Sequence, residues 1–186
     1  MNVYDFDKTI YKNDSTADFY FYSLRRHPKV LLYLPALTLG YAKFYIFKKG
    51  TKTAFKEKVM KFASCTDLEK DVLNFWKSHK HLIKDYYLNQ QKEDDVIISA
   101  SPEFLLRPIC DELGIKHLIC SRVNPKTGKF TGLNCHGKEK VVRFEELFSK
   151  DSVDEFYSDS LSDTPMAEIA KKAFLVKGDK ITPWPL

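Results

Sequence analysis

The chain has 186 residues, 44% hydrophobic and 30% charged, with a formal net charge of +5. That length holds one good core, or a core with a small insert, and the composition excludes a disordered chain. The modest positive charge suits an anionic substrate or membrane surface, and without an Arg-rich arm or RNA-binding signature it gives no nucleic-acid partner.

Asn2 to Phe6 is a short apolar run that predicts a strand, and its end carries Asp5 and Asp7, followed by Thr9. Carboxylates that close repel unless a cation lies between them or one holds a proton. A metal-assisted nucleophile beside an acid–base group needs that arrangement. An ordinary strand end running into a polar turn would read the same way. Asp14-Ser15-Thr16 offers N-cap chemistry for a helix through Phe19, Tyr22 and Leu24. From there to about Gln91 the pattern is helical, with breaks near Pro28, Pro35, Gly40 and Gly50. Phe55, Val59, Met60 and Phe62 recur at helical spacing, as do Leu68, Val72, Phe75 and Trp76, and read as packing. His79 and His81 fall on different sides of such a helix, which disfavours a metal site there.

Val96-Ile97-Ile98 ends at Ser99 and reads as a buried parallel strand. A helix from Phe104 to Leu113 is closed by Gly114. Ile115 to Val123 reads as a strand, Asn124 to Gly128 as a turn and Lys129 to Leu133 as its hairpin return. Val141 to Phe148 is helical, Val153 to Tyr157 a strand ending at Ser158-Asp159, Met166 to Lys172 a helix and Ala173 to Val176 a last strand. Alternating strands and helices argue for a parallel α/β sheet, a Rossmann-like three-layer core. Residues 1–13 and 92–186 would form that core, and residues 14–91, too long for a loop, an inserted helical cap. Cys65, Cys110, Cys120 and Cys135 form no Cys-x-x-Cys pair, and no signal peptide precedes them. They read as reduced thiols in a cytoplasmic protein.

Ligands of open parallel sheets bind beyond the carboxyl ends of the strands. Three expected strands end in Asp5 and Asp7, in Ser99 and Ser101, and in Asp159 and Asp163, with Lys138 and Lys140 opening the helix between the last two. Carboxylates for a divalent metal, hydroxyls and a lysine for an anion, and a nucleophilic aspartate make a phosphoryl-transfer kit.

The segments Asp5-Phe-Asp7-Lys-Thr9, Ile97-Ile98-Ser99-Ala-Ser101, Gly137-Lys-Glu-Lys140-Val and Ser158-Asp159-Ser-Leu-Ser-Asp163-Thr-Pro occur in that order across the chain. In this the chain resembles the haloacid dehalogenase superfamily, in the phosphoserine phosphatase-like branch (subfamily IB) with a small helical cap of the C1 type. The resemblance implies that Asp5 attacks phosphorus to form an aspartyl-phosphate, and that Asp7 serves as acid and then base. It implies Mg2+ held by Asp5, the Asp7 main-chain carbonyl and Asp159. Ser99 and Lys140 would hold phosphate oxygens, joined by Thr9 and Ser101, and Asp163 would support Lys140. Lys138 competes with Lys140 for its role. Ser158, Ser160 and Ser162 replace two glycines and an Asn of the phosphoserine phosphatase pattern.

The substrate depends on the cap. Val30 to Phe47 is apolar with one charge, Lys43, and is flanked by Arg25, Arg26 and Lys29 on one side and Lys48, Lys49 and Lys52 on the other. One membrane span there would put Asp5 and Ser99 on opposite sides of a bilayer, so the stretch is either cap core or a surface meeting an anionic membrane. Arg25-Arg26-His27-Pro28 with the Leu-rich run resembles the cap of the bacterial phosphatidylglycerophosphatase C family. That implies a lipid phosphate substrate and peripheral contact with the inner face of the membrane. The rival is a small phosphorylated molecule, with Asp14 placed to meet a substrate amine or simply to cap its helix. A non-catalytic phosphate-binding protein is a third reading, and no obligate protein partner is evident.

Overall fold

The computed structural model describes residues 1–33, 57 and 67–185. Most of the apolar stretch Val30–Phe47, the expected helical run around Phe55, Val59, Met60 and Phe62, and Cys65 lie outside the described residues.

Six strands form one sheet in the order β3-β2-β1-β4-β5-β6. They are β1 (Asn2–Tyr4), β2 (Val96–Pro102), β3 (His117–Ser121), β4 (Glu155–Ser158), β5 (Lys172–Lys177) and β6 (Lys180–Pro183). The first five are parallel and β6 is antiparallel to β5. The described helices are α1 (Ser15–Arg26), α2 (Leu68–His79), α3 (Asp85–Gln90), α4 (Glu103–Glu112), α5 (Lys138–Glu145) and α6 (Thr164–Ala167), with short 3-10 turns between some of them. The fold is the expected mixed α/β architecture with a mainly parallel sheet.

Residue alternation assigns the two faces. Tyr4, Ile97, Cys120, Tyr157 and Val176 join one buried cluster with Phe19 of α1, Phe75 and Trp76 of α2, Tyr87 of α3 and Leu105 and Ile109 of α4. Val3, Val96, Ile98, Ile119 and Phe156 join a second with Phe144 of α5 and Met166 of α6. On the first face Tyr4 stacks on Tyr157 at 4.8 Å, and Tyr157 on Phe174 at 4.9 Å. These are cross-strand neighbours in the register, a placement that adds to simple area burial. Trp76 Nε1 donates to the Leu105 carbonyl at 2.6 Å, so α2 is tied to α4.

Three expectations need correction. The helix foreseen from Met166 to Lys172 is only Thr164–Ala167. Pro165 starts it early, and the Lys171 and Lys172 amides turn instead to the carbonyls of Val153 and Asp154, both at 3.0 Å. Sheet pairing outweighs helix propensity there. The last strand is not last: Gly178, at φ +59, and Asp179 turn the chain into β6, the Gly at the first turn position of a two-residue hairpin. The hairpin return foreseen at Lys129–Leu133 is one bridge, Val123 to Phe130.

Candidate active site

Asp5 follows β1 directly, and its N–H donates to the Tyr157 carbonyl at 2.8 Å, extending the β1–β4 ladder by one residue. The side chain therefore leaves the carboxyl end of the sheet centre, and it is 7% exposed. Lys140 lies in the first turn of α5. Gly137 before it holds φ +60, where an added Cβ would meet the Ser162 carbonyl at 3.3 Å. Lys140 Nζ donates to Asp5 Oδ1 at 2.6 Å and to Asp163 Oδ2 at 2.7 Å. Ser158 Oγ donates to the same Asp163 oxygen at 2.8 Å. Lys138 is exposed, so of the two lysines only Lys140 reaches the carboxylates.

Thr9 is fully buried and bridges two loops. Its hydroxyl accepts the Asp159 N–H at 2.9 Å and donates to Asp5 Oδ2 at 3.4 Å. Asp7 stands at the start of α1. Its Oδ1 accepts the Ser15 N–H at 2.7 Å and its Oδ2 the Ser101 hydroxyl at 2.5 Å. Ser101 gets there through an irregularity in β2. Ser99 pairs with Cys120 and Pro102 with Ser121, so Ala100 and Ser101 bulge between them, and a bulge re-aims side chains. Ser99 is buried, and its hydroxyl accepts the Ser101 N–H at 3.1 Å.

Two groups thus meet at the strand ends: Asp5, Lys140, Asp163, Ser158 and Thr9, and beside them Asp7, Ser15, Ser99 and Ser101. Asp159 joins through its backbone. Asp14 caps α1, accepting from the Ala17 N–H at 2.9 Å. Ser158 and the Ser15 amide were not foreseen as site groups. Ser15 was visible as part of a cap, and Ser158 only as a neighbour of Asp159.

Burial raises the Asp5 carboxyl above its ordinary range against the pull of Lys140, and Asp163 and Asp7 add to the rise. Burial, then the Asp14 charge, raises Asp7 against its hydrogen bonds from Ser101 and Ser15. Burial opposes the charge on Lys140, but Asp5 and Asp163 hold it above the usual lysine value. A carboxyl raised in this way suits an acid–base group.

Asp5 and Asp163 share one buried ammonium, Lys140, with the Asp7 charge close to Asp5, while the half-buried Asp159 has the Lys177 and Lys8 charges against it. Asp163 Oδ1 is buried without a hydrogen bond, and burial raises Asp159. This surplus of buried negative charge fits a divalent cation. Among the described residues no three His, Cys, Asp or Glu side chains converge on one point. The implied set needs only two carboxylates, Asp5 and Asp159, with the Asp7 main-chain carbonyl. Cys110, Cys120 and Cys135 are buried and free of disulfides, with thiols raised by burial, which makes them poor nucleophiles.

The haloacid dehalogenase-like hydrolase family model matches residues 3–168, so the chain belongs to that family. A probable phosphatase of Mycobacterium tuberculosis is 34% identical over 94 residues, covering 47% of this chain and 33% of that protein. Protein CicA of Caulobacter vibrioides is 38% identical over 81 residues, 40% of this chain and 36% of that one. The matches thus span about a third of these curated relatives. Among solved structures, a protein of unknown function from Bordetella pertussis aligns with TM-score 0.73 at 18% identity, covering 93% of this chain and 87% of its own. A phosphoserine phosphatase captured as a phospho-aspartyl intermediate analogue aligns with TM-score 0.54 at 19% identity, covering 92% and 83%. At such identities the likeness is one of fold.

Proposed function

We propose that the chain is a Mg2+-dependent phosphomonoesterase that works through an aspartyl-phosphate on Asp5. The observation that best supports this is the buried Asp5–Lys140–Asp163 chain, at 2.6 and 2.7 Å, with Asp7 held two residues away. Lys140 orients the Asp5 carboxylate and presents positive charge to the incoming phosphate. The carboxylate attacks phosphorus as the ester P–O bond breaks, and protonated Asp7 gives its proton to the leaving oxygen. Asp7 then takes a proton from the water that attacks phosphorus and releases Asp5. Ser99 and Ser101 line the phosphate side, and Thr9 holds the Asp5 and Asp159 loops together. Asp5, the Asp7 carbonyl and Asp159 would hold Mg2+, which when bound offsets repulsion between the anionic nucleophile and phosphate. Residues 14–91 act as the cap that selects the substrate over the core of 1–13 and 92–186.

Two substrate classes divide the reading. Phe21, Leu31 and Leu32 are 57%, 48% and 77% exposed, and Arg25, Arg26 and Lys29 near them are exposed too. Apolar and basic residues side by side favour an anionic membrane surface and a lipid phosphate such as phosphatidylglycerophosphate, met at the cytoplasmic face. No helix of the described residues is long and apolar enough to cross a membrane. The phosphoserine phosphatase among the fold neighbours supports a small soluble substrate instead. Asp14 favours that reading less, because it spends Oδ1 on its helix cap. A non-catalytic role would leave the Asp7 cradle without a purpose.

Asp5→Asn should abolish turnover of a phosphate-ester panel while leaving the thermal midpoint within a few degrees; an unchanged rate sinks the nucleophile assignment. Omitting Mg2+ should abolish wild-type turnover on the same panel. Flotation with anionic vesicles separates the substrate classes: binding supports the lipid reading, and no binding removes it.

A further inference from the structure

Three carbonyls of the turn that follows Asp7, those of Lys8, Thr9 and Ile10, are held by a segment far away in sequence. Lys84, just before α3, is 4% exposed. Its Nζ donates to the carbonyls of Lys8 and Gly178, both at 2.7 Å, and its N–H to the Ile10 carbonyl at 2.8 Å. Two residues on, Tyr86 Oη donates to the Thr9 carbonyl at 3.0 Å. No carboxylate forms an ion pair with Lys84 among the described residues. Burying an ammonium on carbonyl oxygens with no ion pair carries a desolvation cost that its hydrogen bonds must offset.

The turn needs such support. Lys8 sits at φ +58, the described non-Gly residue in the left-handed region, a conformation disfavoured for a side chain with a Cβ and sustained only by surrounding structure. The next residue, Thr9, joins Asp5 to the Asp159 amide. On the other side, Gly178 follows Lys177, whose Nζ donates to the Asp159 carbonyl. Lys84 therefore grips both segments that meet at Asp159.

We propose that Lys84, with Tyr86, is a positioning residue that fixes the Lys8–Thr9 turn and so sets the spacing of Asp5, the Asp7 carbonyl and Asp159. This rests on the phosphatase reading above. Lys84 touches neither substrate nor reacting atoms. It acts through the Lys8 and Thr9 peptide planes, which direct the Thr9 hydroxyl, and through Gly178 and the strand end beside Asp159.

Lys84→Met keeps the length of the side chain and removes its donors. In a folded variant kcat should fall about 10- to 100-fold, the loss associated with small misplacements of reacting groups. KM should stay within roughly twofold, because the phosphate and substrate contacts remain. The Mg2+ concentration for half-maximal rate should rise at least about fivefold, since its ligands lose their fixed spacing. Without Mg2+ or substrate, amide hydrogen exchange in the Lys8–Tyr11 stretch should quicken. Lys84→Arg, which keeps the donors, should recover part of the rate. A Lys84→Met enzyme that only loses thermal midpoint, with kcat, Mg2+ requirement and exchange unchanged, overturns the proposal. If Lys84→Met does not fold, Tyr86→Phe decides: a fall in kcat with unmoved KM and faster exchange at Thr9–Ile10 supports the brace, and wild-type values overturn it. Asp5→Asn, run in parallel, separates the two readings. Were it active, the nucleophile assignment would fail, yet the exchange measurement on Lys84→Met would still decide the brace.

Discussion

Lys140 and Lys84 are both sealed from water, at 1% and 4% exposure, and the fold uses them in opposite ways. Lys140 answers carboxylates, and those charges hold its proton more firmly than usual. Lys84 answers carbonyls, and burial loosens its proton despite the distant Asp179 and Asp159 charges. One is a charge partner and the other a hydrogen-bond donor that happens to be charged. The difference separates two uses of a buried ammonium: at Lys140 it balances carboxylates, and at Lys84 it ties main-chain carbonyls together.

The largest break in this comparison should come from Lys140→Met. It leaves Asp5 and Asp163 buried without their cation, which costs about 3–5 kcal/mol for a broken buried pair, and turnover should fall about 10²- to 10³-fold, as for loss of a preorganised donor. Lys84→Met strands no charge, and the freed carbonyls cost about 1–3 kcal/mol. Urea unfolding of the two variants measures both, and an equal or reversed ranking ends the contrast. Adding Asp5→Asn to Lys140→Met should recover part of the lost stability, because one stranded charge disappears.

A smaller effect is expected at Asp95, a buried carboxylate whose desolvation outweighs the pull of the Lys92 and N-terminal charges. Its Oδ2 accepts the Lys92 N–H at 2.8 Å, its Oδ1 has no partner, and burial pushes it up to about 6. The folded value lies above the unfolded value of about 4, so its contribution is fully present below pH ~4 and is lost as pH rises through about 6. Asp95→Asn should therefore raise the thermal midpoint by a few degrees at pH 7.5 and leave it unmoved at pH 4; a gain at both values would point to packing instead of charge.

The smallest effect belongs to Lys171, which is exposed and 2.7 Å from Asp154. Hydrogen bonding to Lys171 lowers Asp154 to about 2. The folded value lies below the unfolded one, so the contribution is present above pH ~4 and fades between about 4 and 2. Water screens such a pair. Lys171→Ala should lower the urea midpoint only slightly at pH 7, an effect that 1 M salt removes and that disappears near pH 2.

Much of the fold was legible because short β-branched or aromatic apolar runs bounded by polar residues are too short for helices and suit buried strands. Val96-Ile97-Ile98 and the run before Asp159 are of this kind, and both deliver their polar ends to one edge of the sheet. Other parts left little trace. β6 is largely exposed and carries a Pro, so only the Gly178-Asp179 turn hinted at it. Ser101 was visible as a hydroxyl near Ser99, but its reach to Asp7 depends on a bulge. Lys84 was invisible for a stronger reason. Its partners lie 76 and 94 positions away and are backbone carbonyls, and every residue has one of those.

The central position of β1 has a consequence in time. The strand pairs with β2, which begins at Val96, and with β4, which begins at Glu155. On a chain emerging in order, Asp5 and Asp7 precede every partner that shapes them: Ser101, Lys140, Asp163, and finally the Gly178 turn gripped by Lys84. Asp5 and Asp7 are thus made before the groups that shape them, and an unfinished chain carries the proposed nucleophile without those partners.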